Sequence, residues 1–70
     1  MITLVSAENV KKDQVRVVLF ADDKSEVIDG MTGADIPEVQ DDDTLVPFSI
    51  AVTKNFEVAV LDSQNKWNWK

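Results

Sequence analysis

The chain has 70 residues, 13 acidic against 7 basic side chains and a formal charge of −6. At roughly 100–200 residues per domain, this is one small domain, spanning residues 1–70. The acidic balance excludes a dedicated nucleic-acid binder, which needs clustered Lys and Arg, and no apolar run approaches the ~18 residues of a membrane span.

No signal-peptide pattern opens the chain, so neither nucleic acid nor membrane is expected as a partner. Hydrophobic residues make up 44%, close to the ~45–50% of ordinary globular chains, which argues against disorder. Cys and His are both absent. That removes disulfides, thiolate ligands and imidazole together, leaving only oxygen ligands for any metal. Small scaffolds make up a thin core with disulfides, a metal or oligomerisation. Oligomerisation is the route left open, so a homo-oligomer is expected. Cysteine-free composition fits a reducing compartment such as the cytoplasm without requiring one.

Ile2–Val5 is a short β-prone run. Ser6 then precedes Ala7-Glu8-Asn9-Val10-Lys11-Lys12. A Ser at the N-cap, an acid in the first turn and lysines in the last suit one helical turn, with a polar loop between strands as the alternative. Val15-Arg16-Val17-Val18-Leu19-Phe20 is the first strong strand, β-branched and aromatic, with only Arg16 interrupting its apolar faces. Such a strand is covered on both sides, by its own domain or by a neighbouring chain. Ala21–Ser25 reads as a turn, and Glu26-Val27-Ile28 as a short returning strand.

Asp29–Asp35 contains both glycines and reads as a turn with φ > 0 at one or both of Gly30 and Gly33. Ile36–Asp43 follows as an acidic loop, in which Pro37 withholds a backbone donor and favours an edge or loop. From Thr44 the pattern sharpens. Phe48, Ile50 and Val52 alternate with Ser49, Ala51 and Thr53, and Phe56, Val58 and Val60 alternate with Glu57, Ala59 and Leu61. Lys54-Asn55 is a two-residue turn in which Asn can take φ > 0. Asp62–Lys66 is a second turn, and Trp67-Asn68-Trp69 a last strand with both indoles on one face. Phe48–Trp69 is therefore a three-stranded meander. The predicted fold class is mainly β: a small antiparallel barrel or sandwich of five to six short strands with at most one short helical turn.

The charge is concentrated. Between Asp22 and Asp43 lie nine carboxylates and one cation, so this stretch carries −8 while the rest of the chain carries +2. Asp35, Glu38, Asp41, Asp42 and Asp43 form the candidate acidic surface. Three functional readings attach to it: a calcium loop, a docking surface for a basic partner, or mimicry of nucleic-acid phosphates. The plain alternative is a solvated loop that aids solubility. Calcium loops alternate their oxygen ligands around a turn glycine, whereas Asp41-Asp42-Asp43 is contiguous and no Gly follows. No metal or cofactor is assigned.

Nothing points to an enzyme. Paired carboxylates need one acid in an apolar pocket to raise its pKa. Glu57 is the acid with the most apolar neighbours, and period two puts it on the outer face. The serines have no His to activate them, and Gly30-Met31-Thr32-Gly33 is too short for a phosphate loop. Catalytic residues: none. Trp67 and Trp69 either close one end of the core or anchor a subunit or partner, Trp being enriched at interface hot spots. Phe20 carries the same ambiguity, so these three are the candidate partner-binding residues.

The segment from Phe48 to Trp69, ending Asp62-Ser-Gln-Asn-Lys-Trp-Asn-Trp69, resembles the tails of small structural proteins of tailed bacteriophages (head-module, capsid-associated or head-fibre type). Those chains end in a strand, an Asp/Ser/Asn/Gly turn and a closing strand containing Lys-Trp or Thr-Trp. Asn65-Lys66 stands here where many of them have Asp-Gly. The resemblance covers about a third of the chain and carries over no catalytic or ligand residue. It implies a non-enzymatic virion component that binds the capsid, other virion proteins or its own copies, located in the virion. The alternatives are a small acidic inhibitor that mimics nucleic acid on a host protein, and a calcium-binding domain.

Overall fold

A computed structural model describes residues 1–28, 36, 38, 39 and 43–70. Among the described residues are six strands and one short helix: β1 (Thr3–Lys11), β2 (Gln14–Ala21), α1 (Lys24–Ile28), β3 (Thr44–Leu45), β4 (Ile50–Thr53), β5 (Val58–Leu61) and β6 (Trp67–Trp69). The fold is mainly β, as expected. All six strands belong to one sheet of order β1-β2-β4-β5-β6, with β3 also pairing β2. Closure into a barrel or a two-sheet sandwich is not seen among the described residues. The sheet is mixed rather than antiparallel throughout, because both β3 and β4 run parallel to β2.

The Ser6–Lys12 segment is neither a helical turn nor a loop. It belongs to the nine-residue β1, which pairs antiparallel with β2 from Thr3↔Phe20 to Lys11↔Gln14. A capping signal across six residues is weak, and a long hairpin with a strongly β-prone partner overrides it. The returning strand expected at Glu26–Ile28 is instead α1. Asp23 Oδ1 accepts the Glu26 N–H at 3.0 Å, and Glu26 Oε1 accepts the Asp22 N–H at 3.1 Å. Asp23 thus N-caps the helix, and Glu26 reaches back one residue beyond the cap, a variant of the capping box whose spacing is visible in the sequence.

The crossover from β2 to the parallel β3 and β4 supplies the cover for one face of the sheet. Val27 of α1, Ile36 and Val39 are buried against Val15, Val17, Leu19 and Ala21 of β2. Ala51, Ala59 and Leu61 complete this core from β4 and β5. The Gly30 and Gly33 turn, Pro37, Asp35, Asp41 and Asp42 lie outside the described residues.

β3 and β4 behave as one strand with an excursion. Gln14 and Val15 pair with Thr44 and Leu45, but Val18 pairs with Ile50, so two extra residues are inserted opposite β2. Pro47 lies in the excursion and has no N–H to give. Ser49 closes the gap: its buried Oγ accepts the Val17 N–H at 3.1 Å, where a ladder carbonyl would otherwise stand.

Three non-glycine residues have positive φ: Phe48 (75°), Phe56 (61°) and Asn65 (61°). Each sits at the first position of a bulge. Phe48 donates to Leu61 O and Leu61 to Ser49 O; Phe56 donates to Thr53 O and Thr53 to Glu57 O; Asn65 donates to Asp62 O and Asp62 to Lys66 O. This bulge ordinarily takes Gly at that position. The turn after β4 falls at Lys54-Asn55 as expected, but Phe56 and not Asn55 carries the positive φ.

Candidate functional site: the open face of the sheet

Side chains alternate between faces along a strand, and directly paired residues share a face. Two rows follow from the register. Val18, Ile50 and Val60 lie in line across β2, β4 and β5, and Phe20, Val52 and Val58 form the next line. All six point away from the face that α1 and the crossover cover, and all are half-buried or exposed, Phe20 the most so at 36%. Among the described residues, nothing packs over them. The strand expected to be covered on both sides is, among the described residues, covered by its own chain on one side only.

The distribution of size between the faces is the reverse of an ordinary half-wetted sheet. On the covered face stand Ser49 and, from β4 and β5, Ala51, Thr53 and Ala59, all fully buried, with Leu61 as the large residue at the end of β5. The bulky β-branched residues of these strands face outward instead. Small residues are needed beneath the crossover, whose Val27, Ile36 and Val39 fill the space above them. The outward Val and Ile have no such explanation within the chain.

The two ends of the next row are charged. Glu8 pairs with Arg16 in register, and Arg16 Nη1 donates to Glu8 Oε2 at 3.2 Å. On the far side, Asp62 is two residues beyond Val60 and so on the same face. Its Oδ1 accepts the Gln64 and Lys66 N–H groups at 2.8 and 2.9 Å, and its Oδ2 accepts from Asn68 Nδ2 at 2.7 Å. The Lys66 N–H first, and then Asn68, hold the Asp62 carboxyl below the usual carboxylate range. Lys66 faces Asp62 across this turn, since Asp62 N–H donates to Lys66 O at 2.9 Å. Across the sheet the row therefore reads Glu8, Arg16, then Asp62, Lys66.

The structure separates the three candidate partner-binding aromatics. Trp67 pairs with Leu61 and Trp69 with Ala59, which puts both indoles on the covered face, half-buried against the core. Lys24 Nζ lies 5.0 Å from the centre of the Trp69 ring and 3.1 Å from Glu57 Oε2. Only Phe20 is on the open face. Glu57 does not sit on the outer face, because it reaches the buried Thr53 hydroxyl at 3.3 Å and Lys24 of α1. Phe48 and Phe56 were not singled out from the sequence, yet they are 71% and 85% exposed. Their residue type gives no signal of the positive φ that each adopts.

The described acids of the Asp22–Asp43 stretch are largely committed to local partners. Asp22 meets the Met1 amino group and Lys54 Nζ, the latter at 3.1 Å, and these two donors, the amino group first, hold its carboxyl low. Asp23 is held low by the Glu26 N–H and then by Ser25. Glu38 is exposed and Asp43 half-buried; Asp35, Asp41 and Asp42 fall outside the described residues. Among the described residues no three acidic side chains gather as metal ligands. No helix among them is long and apolar enough to cross a membrane. Comparisons with protein-family models, with curated proteins and with solved structures found no match.

Proposed function

We propose that this chain is a non-enzymatic structural or interaction module that works by burying the open face of its sheet against protein. The observation that carries this reading is the inverted size distribution: Ile50, Val52, Val58 and Val60 face outward while, apart from Leu61, the core-facing positions are the small Ser49, Ala51, Thr53 and Ala59. Contiguous apolar patches on small proteins mark interaction sites. A β-rich chain without His or Cys also offers little chemistry beyond binding. The resemblance of Phe48–Trp69 to small phage structural proteins adds the setting: a virion component that contacts capsid proteins or its own copies.

Sedimentation of the purified chain and mass spectrometry of particles from a phage encoding it test this reading. The expected result is association above the 7.8 kDa monomer, incorporation into particles, or both. A chain that sediments as a monomer into the millimolar range and is absent from purified particles overturns it.

A further inference from the structure

We infer that the occupant of the open face is a second copy of this chain, packed face to face about a two-fold axis running along β4. The inference rests on the interaction-module reading above and specifies its partner and geometry. The sheet path places β4 in the middle, with β2 and β1 on one side and β5 and β6 on the other. Rotation by 180° about β4 exchanges those sides. β1 of one copy then lies over β6 of its partner, and β2 over the partner's β5.

The apolar positions of the central strands each find an apolar counterpart in that arrangement. Ile50 and Val52 lie on the axis and meet their own copies. Val18 meets Val60, and Phe20 meets Val58, because those pairs occupy the same rows at equal distances from β4. Self-complementarity of this kind is what an isologous interface requires. The charged row is the sharper argument. Glu8 and Arg16 on β1 and β2 fall opposite Lys66 and Asp62 beside β6 and β5. Each copy contributes both halves, so the axis creates four pairings of opposite sign and none of like sign. An axis across the strands would stack β1 on β1 and leave these charges unmatched.

Two further features fit. The −8 of the chain belongs to residues 22–43, and the described part of that stretch that packs on the sheet does so on the opposite face. Among the described residues, Asp23 and Glu26 go with α1 to that opposite face, so these acids do not oppose their copies across the interface. The extent lies at the lower end of what a specific interface buries. Five strands and three rows cover roughly 24 × 20 Å at ordinary strand spacing and rise, giving about 1,000 Å² for two flat faces before side-chain relief is added. Specific interfaces begin near 1,200 Å². Sheets stacked this way settle about 10 Å apart with their strands within about 30° of alignment.

The experiment uses two rim variants of the full chain, Glu8→Lys and Lys66→Glu, studied by sedimentation equilibrium alone and mixed. Both positions are solvent-exposed, so the fold is expected to survive, and circular dichroism verifies it. Each variant alone faces two like-charge contacts across the axis and should dimerise roughly tenfold more weakly than the parent chain. An equimolar mixture restores two attractive contacts in the heterodimer and should recover the parent affinity. Raising salt to about 1 M should erase most of the difference between variants.

Failure to recover on mixing overturns the two-fold axis along β4. If Val52→Lys abolishes association in that case, the face still binds protein and only the geometry falls. A monomeric parent chain that binds another virion protein through the same face likewise overturns the self-association while leaving the interaction-module reading intact.

Discussion

Ser49→Ala tests the account of how β2 stays joined to the interrupted strand beside it. Ser49 and Thr53 are the two buried polar side chains of the described core, and Ser49 is fully enclosed. Its hydroxyl accepts the Val17 N–H at 3.1 Å, and Val17 is itself 1% exposed. Alanine removes the acceptor and leaves a donor with neither water nor carbonyl in reach. An unmade bond at a buried amide costs about 1–3 kcal/mol, against the 0.5–1.5 kcal/mol of a made one. The expected loss is therefore about 2 kcal/mol, which for a domain of 60–100 residues lowers Tm by roughly 8–16 °C. Urea unfolding at protein concentrations far below the dimer Kd keeps association out of the measurement, and m should not change. The Val17 amide should also exchange faster than its neighbours in β2, since the defect is local. The exposed Ser63→Ala is the control and should stay within about 0.5 kcal/mol. If Ser49→Ala matches that control, Val17 has another acceptor and Ser49 does not bridge the gap.

Phe56 holds φ = 61° with its ring 85% exposed, so Phe56→Gly relieves the left-handed conformation while losing little burial. The left-handed region costs a non-glycine residue about 1–2 kcal/mol, partly offset by the extra freedom Gly gives the unfolded chain. Thermal melting should show stabilisation of up to about 1 kcal/mol, and a lower Tm would mean that the ring packs in solution. Asp62 gives a pH dependence. Its folded pKa is depressed by the Lys66 N–H and Asn68, so its stabilising contribution is present above the ordinary carboxylate pKa near 3.9 and is lost as pH falls through the lower folded value. Carboxyl NMR titration should find Asp62 below its unfolded value, and Asp62→Asn should flatten the acid limb of the stability profile. A titration at the ordinary carboxylate pKa would refute the hydrogen-bonded turn.

The parts of the fold legible in the sequence are those where one periodicity dominates. Alternation over Ile50–Thr53 and Val58–Leu61 with polar turns between gives β4, β5 and β6 in their observed order. N-capping logic misleads at one short segment and holds, unused, at another that reads as turn and strand. Ser6-Ala7-Glu8-Asn9 looks like a helix start but is strand, whereas Asp23-Lys24-Ser25-Glu26 caps a real helix. Over five to seven residues, local preference amounts to a few tenths of a kcal/mol per position, and pairing with β2 or docking on it decides the outcome. The inward face of the meander is not legible either. Both faces of β2 are apolar, so only the course of the crossover determines which is covered. The positive φ of Phe48 and Phe56 breaks the Gly/Asn preference outright and leaves no compositional trace.

The outward Val and Ile admit an explanation that involves no partner: β-branched residues favour strands wherever they point. Threonine separates the two explanations, because it keeps the branch and the β-preference while replacing a methyl with a hydroxyl. Val52→Thr and Val58→Thr together should leave the stability of the chain, measured well below its dimer Kd, within about 0.5 kcal/mol if both positions are merely strand surface. In a face-to-face dimer the same pair buries four hydroxyls near the axis, two from each copy. A buried hydroxyl without a partner costs roughly 1–3 kcal/mol by protein mutational data. Even two unsatisfied groups would weaken dimerisation by about 2 kcal/mol or more, beyond twentyfold in Kd. Unfolding of the dilute, dissociated chain and sedimentation of the same chain at higher concentration thus report on the two explanations independently. An unchanged dimer affinity in the double variant would mean that Val52 and Val58 stay in water, and that their type reflects strand preference alone.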